Sequence, residues 1–124
     1  MNGYHIELER ATLENGDYRR VLFTAEHMQL VLMTLQAGED IPMETHEEHD
    51  QFIRVEAGEG EAVIGDDAFA LRDGSAVIIP AGNPHHIVNT GSEPLKLYTL
   101  YTPPEHPDGT VHSTKADADA AKEN

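Results

Sequence analysis

The sequence predicts an all-β domain on three observations. Short runs rich in β-branched and aromatic residues recur along the chain. Glycine, proline, asparagine or aspartate separates them every eight to twelve residues. No long segment before residue 112 repeats its apolar residues at the 3.6-residue period of a helix. Punctuated short runs without helical periodicity are the pattern of an antiparallel sandwich or barrel.

The first runs are "VLFTA" (21–25) and "MQLVLMTL" (28–35), each bounded by polar residues. After Gly38 and Pro42 the chain turns out of a loop and becomes extended through "METHEEHDQF" (43–52). "FIRVEAGEGEAVIG" (52–65), "FALRDG" (69–74), "AVIIPAG" (76–82), "HHIVNTG" (85–91) and "LKLYTLYTPP" (95–104) complete the series. "PPEHPDGT" (103–110) reads as a polyproline-like turn that folds back over an open rim or a partner. The tail "STKADADAAKEN" is alanine-rich, and Ser113 or Thr114 is placed to cap a short helix whose last residues fray. No repeat, linker or second domain interrupts residues 1–124, which read as one domain with a C-terminal arm over 103–124.

A chain of 124 residues can bury roughly two-thirds of its unfolded surface in one core. It has no cysteine, which excludes disulfides, thiolate metal sites and a cysteine nucleophile. The opening "MNGYHIELER" lacks the apolar stretch of a signal peptide, and no apolar run is long enough to span a bilayer, so a cytoplasmic location is expected. With 23 acids against 8 lysines and arginines, the net charge of −15 argues against nucleic-acid and anionic-membrane partners.

"METHEEHDQF" concentrates acids and histidines. On a strand, Glu44 and His46 share one face about 6.6 Å apart, close enough to grip one ion. Gln51 begins the next extended run, and Ile53 and Val55 continue its face towards the core. "EEHD" between them becomes a turn or bulge from which His49 projects away. Glu44, His46 and Gln51 converge if the strand curls around a barrel interior. A further ligand is offered by the histidine pair in "DGSAVIIPAGNPHHIVN", where His85, Ile87 and Asn89 take one strand face and His86 and Val88 the other.

These two segments resemble the two motifs of the cupin superfamily. The first motif runs glycine, five residues, His-x-His, three or four residues, glutamate, six residues, glycine. Here Gly38, Glu44, His46, Gln51 and Gly58 keep that spacing, with Glu44 in place of the first histidine and Gln51 in place of the glutamate. The second runs glycine, five residues, proline, one residue, glycine, two residues, histidine, three residues, asparagine. Gly74, Pro80, Gly82, His85 and Asn89 meet it without departure. The resemblance covers 38–89 and implies a small single-domain cupin, a jelly-roll β-barrel. It implies one divalent metal ion held by Glu44, His46, Gln51 and His85. It enlists neither His49 nor His86.

Two imidazoles, one carboxylate and one amide oxygen favour a harder ion such as Mn²⁺ or Fe²⁺, while Zn²⁺, Co²⁺ and Ni²⁺ remain admissible. On the last strand, Tyr98 and Leu100 alternate with Thr99 and Tyr101, so Tyr98 or Tyr101 faces the pocket and is a candidate catalytic group. Arg54 is out of phase with Gln51 and reads as a surface salt-bridge residue. The reading expected is a metal-dependent enzyme acting on a small oxygenated metabolite such as a sugar or uronate, of isomerase, epimerase or tautomerase type. A metal-dependent oxygenase and a non-catalytic binding module for a small molecule are the alternatives. A homodimer is also expected, because a run such as "LVLMTL" makes a poor exposed edge.

Overall fold

Each punctuated run becomes a strand, because alternating residues can bury one face while the turn residues between runs supply the reversals. The computed structural model describes residues 3–122. Nine strands follow a short helix: β1 (Arg19–Thr24), β2 (Gln29–Leu35), β3 (Asp40–Thr45), β4 (Asp50–Ala57), β5 (Gly60–Ile64), β6 (Asp67–Leu71), β7 (Ala76–Ile79), β8 (Pro84–Asn89) and β9 (Leu95–Thr102). The arm adds β10 (Val111–His112) and the helix α2 (Lys115–Lys122). All strand pairs are antiparallel. One sheet has the order β10-β1-β2-β9-β4-β7 and the other β3-β8-β5-β6. The fold is the expected all-β jelly roll.

The core lies between the sheets. Val31, Met33 and Leu35 of β2, Ile53 and Val55 of β4, and Leu95 and Leu97 of β9 face Ile41, Ala62, Ile64, Leu71 and Ile87 of the other sheet. Register decides where that core stops. Across the larger sheet, Met33 lies opposite Leu97, which lies opposite Val55. Two rungs further, Gln29 lies opposite Tyr101, which lies opposite Gln51. Because side chains on one face recur every second residue, the inner face passes from apolar to polar towards that end. Gln51, His85 and Thr99 are buried there among the strands, between 0% and 3% exposed.

Three features differ from the sequence-based expectations. A helix, α1 (Leu8–Glu14), precedes the sheets although no helical periodicity marks it. It is tied to the sheet by polar atoms of Asn15 at its C-terminal end rather than by an apolar stripe, which is why hydropathy misses it. Thr12, its one buried residue, donates to Leu8 O at 2.7 Å. Asn15 just beyond it exchanges hydrogen bonds with Thr34 and accepts one from Lys96 Nζ. The run "LVLMTL" is not an edge, since β2 sits between β1 and β9. That removes the edge-strand argument for a homodimer. The strand β10 inside the arm also escaped notice, being only two residues long.

Thr114 does cap α2, accepting from Asp117 N at 3.1 Å. The fraying expected at the C-terminus falls on residues 123–124, outside those described. Among the described residues, no helix is long and apolar enough to cross a membrane.

Candidate metal centre and adjoining cavity

Proline and a bulge aim the first ligand. In β3, Ile41 lies opposite Ile87 and Glu44 opposite His85, so two residues of β3 stand against one of β8. Pro42 sits in that irregularity and has no N–H for the ladder. The extra residue inverts the alternation: Ile41 is buried, Met43 is 58% exposed, and Glu44 turns back inwards. His46 follows immediately after β3. One ligand atom from each of Glu44, His46 and His85 lies within 4.8 Å of the others. His46 Nε2 is 3.3 Å from Glu44 Oε1, and the His46 and His85 ring centroids are 5.2 Å apart.

Hydrogen bonds set which atoms face this cluster. His85 Nδ1 is 3.0 Å from Asn83 O. A carbonyl only accepts, so Nδ1 carries the proton and Nε2 presents its lone pair. His85 Nε2 is buried and has no hydrogen-bond partner. Burial, the largest cause, holds the His85 pKa below the usual histidine value, which keeps that lone pair available. Gln51 donates through Nε2 to Thr99 Oγ1 at 3.0 Å, leaving Oε1 buried and likewise without a partner. Buried acceptors without donors are costly unless something electropositive meets them. Two such atoms, a carboxylate and a second imidazole at the polar end of one barrel form a donor set that could hold a divalent cation.

Three of the four residues expected to bind metal therefore meet directly, and Gln51 stands on the inner face beside Tyr101 with its oxygen unspent. Tyr101 is 1% exposed and edge-on to His46 at 5.9 Å. Desolvation raises its pKa above the ordinary tyrosine value, so its phenol stays protonated. Tyr98 belongs to the opposite, outer face of β9, beside Phe52. The alternation that points Tyr101 inwards necessarily points Tyr98 out, so only Tyr101 of the two reaches the interior.

The arm, expected from "PPEHPDGT" to fold back over an open rim or a partner, closes over the centre. Gln29 Oε1 accepts from Glu105 N and His106 N, and its Nε2 donates to His106 O at 2.8 Å. Glu105 Oε2 then lies 2.7 Å from His49 Nε2 and 3.5 Å from His46 Nδ1. His49 also meets Pro103 O at 2.6 Å through Nδ1. Thus His49 does leave the metal cluster, but it holds the arm rather than projecting free. His86 faces outwards and pairs with Asp40 at 2.6 Å. Arg54 pairs with Glu56 at 3.5 Å, the salt bridge its phase predicted.

Beside Glu44 opens a cavity of about 290 Å³, lined also by Arg19, Glu105, His106, Thr110 and His112. Arg19 lies over the Tyr18 ring and donates through Nη1 to His112 Nδ1 at 3.2 Å. Its Nε and His106 Nε2 are buried without hydrogen-bond partners. Burial first, and the Arg19 charge second, hold the His106 pKa down to about 3, and the same causes lower that of His112. Sequence reasoning missed Arg19 and Glu105. Arg19 had a signal, being in phase with buried Val21 on β1. Glu105 had none beyond the turn that carries it, because the arm is positioned by tertiary hydrogen bonds to Gln29.

The Cupin domain family matches residues 31–101. The uncharacterized protein YrkC of Bacillus subtilis (strain 168) is 47% identical over 124 residues, spanning 95% of this chain and 67% of its own. The crystal structure of BH2720 from Bacillus halodurans is 45% identical with a TM-score of 0.94, covering 96% of this chain and 95% of that one. A putative sugar phosphate isomerase from Acidithiobacillus ferrooxidans has a TM-score of 0.57 at 23% identity, over 61% of this chain and 50% of its own. That more distant likeness concerns the fold alone, since one fold hosts many chemistries.

Proposed function

The chain belongs to the cupin domain family, and from that premise we propose a metal-dependent enzyme acting on a small oxygenated metabolite such as a sugar or uronate, by isomerase- or tautomerase-type proton transfer. The carrying observation is the meeting of Glu44, His46 and His85 within 4.8 Å beside a cavity that Glu44 itself lines. Gln51 supplies the fourth, neutral oxygen.

A divalent ion bound there would act as a Lewis acid towards adjacent hydroxyl and carbonyl oxygens. The protein's own groups account for the rest. His85 is held in the tautomer that turns Nε2 inwards, and Thr99 orients the Gln51 amide. Tyr101, protonated and fully enclosed, can donate a hydrogen bond but not accept a proton. Glu105 is a carboxylate on the cavity wall, 2.7 Å from His49. A carboxylate so placed can take a proton from a carbon next to a carbonyl and return it to a neighbouring carbon.

Metal analysis of untagged protein should find about one divalent ion per chain. His46→Ala combined with His85→Ala should abolish it. Wild-type stoichiometry in that double variant would show the ligand assignment to be wrong. Glu44→Ala should weaken the ion more than Gln51→Ala, because a charged oxygen is lost rather than a neutral one. Aldoses, ketoses and unsaturated uronates should then be tested with and without O₂. Turnover that requires O₂ would favour an oxygenase, and binding without turnover would favour a binding module.

A further inference from the structure

The cavity beside the metal centre has a chemical asymmetry that the metal does not explain. Arg19 is the one lysine or arginine among its lining residues. The histidines beside it add no charge at neutral pH, since His106 titrates at about 3 and His112 is also lowered. Arg19 is held from two sides, by the Tyr18 ring at 5.4 Å and by His112 Nδ1 at 3.2 Å, so its guanidinium is fixed before any ligand arrives. Its Nε, buried, has no hydrogen-bond partner. His106 Nε2, on the same wall, is also buried without a partner.

A fixed guanidinium with a spare Nε–H is matched by a planar anion, and a neighbouring imidazole nitrogen suits a hydroxyl group. Charge narrows the anion further. Glu44 and Glu105 line the same cavity, so against two carboxylates and one guanidinium a phosphate dianion meets about twice the net repulsion of a carboxylate in the metal-free site. A cavity of about 290 Å³ admits a molecule of small-metabolite size.

From this wall we infer that Arg19 anchors the carboxylate of a small sugar acid whose hydroxyl or carbonyl oxygens point towards Glu44 and the metal centre. The inference deepens the proposed function and rests on it for the ion at the far end. It selects acids over neutral sugars, and it assigns that selection to Arg19 rather than Arg54.

The test titrates D-glucuronate, D-glucose and D-glucose 6-phosphate into Zn²⁺-loaded and chelator-stripped protein, by calorimetry and by following the Arg19 Nε–H resonance. Zn²⁺ stoichiometry is measured first. Glucuronate should bind at least tenfold more tightly than glucose or the phosphate and should shift the Arg19 Nε–H signal. Arg19→Gln should erase that preference. The resonance is read on the wild-type protein, so it decides even if the variant folds poorly. A preference that survives Arg19→Gln, an Nε–H signal that glucuronate leaves unmoved, tighter phosphate binding, or no binding of any probe would each overturn the inference. Protein that takes up no Zn²⁺ yet prefers glucuronate through Arg19 would overturn the metal centre alone. Protein that takes up Zn²⁺ without the preference would overturn Arg19 alone.

Discussion

His106 shows how one side chain can tie the site to the stability of the whole protein. Its folded pKa of about 3 lies well below the ordinary histidine value, first because burial penalises the charged ring and second because Arg19 repels it. The unfolded chain therefore binds a proton near pH 6.5 while the folded chain does not. Stability is fully present above that pH and falls as pH drops through the window towards 3. Between pH 7 and pH 5 this one group should remove about 2 kcal/mol. His85 shifts in the same direction, so the comparison that isolates His106 is between wild type and His106→Gln. Urea unfolding of chelator-treated protein at both pH values should give a flatter pH dependence for the variant by about 2 kcal/mol. Equal slopes would mean that His106 is solvated in the folded state. No spacing rule pointed to this residue, because its environment is made by Arg19 and Tyr101, more than eighty residues before it and five before it. His46 and His85 were legible because they stand at histidine positions of the two cupin motifs, whose spacing is written in the local sequence.

At the scale of elements, most strands were also legible in the local sequence, and the misses have specific causes. The expected runs at 21–25, 28–35 and 95–104 became β1, β2 and β9 with ends shifted by a few residues. The helix α1 was invisible because Asn15 at its C-terminal end, rather than an apolar stripe, ties it to the sheet. The bulge at Pro42 was not foreseen, although without it Met43 and not Glu44 would face His85. The motif glycines were read as punctuation, and the structure separates two kinds. Gly58 has φ +93°, and a Cβ there would meet Pro94 O at 2.5 Å and Leu95 Cα at 2.8 Å, both backbone. Gly74 has φ +90° with nothing within 4 Å of such a Cβ. Alanine at 74 should therefore cost only backbone strain, about 1–2 kcal/mol. Alanine at 58 adds a collision that neither β4 nor the start of β9 can relieve cheaply, for a total of about 3 kcal/mol or more. Thermal unfolding of the two variants should rank them in that order. Equal losses would show that the approach of Pro94 to Gly58 relaxes freely.

The whole molecule carries a net charge of −15 around a site that is proposed to take a cation and a sugar acid, and those two ligands should feel it with opposite signs. A field of that sign concentrates divalent cations and repels monoanions, and it reaches about 30 Å at 0.01 M salt but about 8 Å at 0.15 M. Raising salt over that range should slow Zn²⁺ uptake by roughly tenfold, a modest share of the 10–10³ that electrostatic steering can contribute. The entry of glucuronate should become faster over the same range, because screening removes repulsion by the surface while Arg19, buried at its Nε, keeps its short-range hold. Glucose entry should stay flat. Stopped-flow measurements of the three ligands on one preparation provide their own control, since an ordinary effect of salt on protein flexibility would move all three together. Slower uptake of all three, or no salt effect on Zn²⁺, would show that the acidity serves the outer surface and does not reach the barrel mouth. Opposite slopes would mean that the long-range field recruits the metal while recognition of the acid is left to Arg19. That division would explain how so acidic a chain can hold an anion at all.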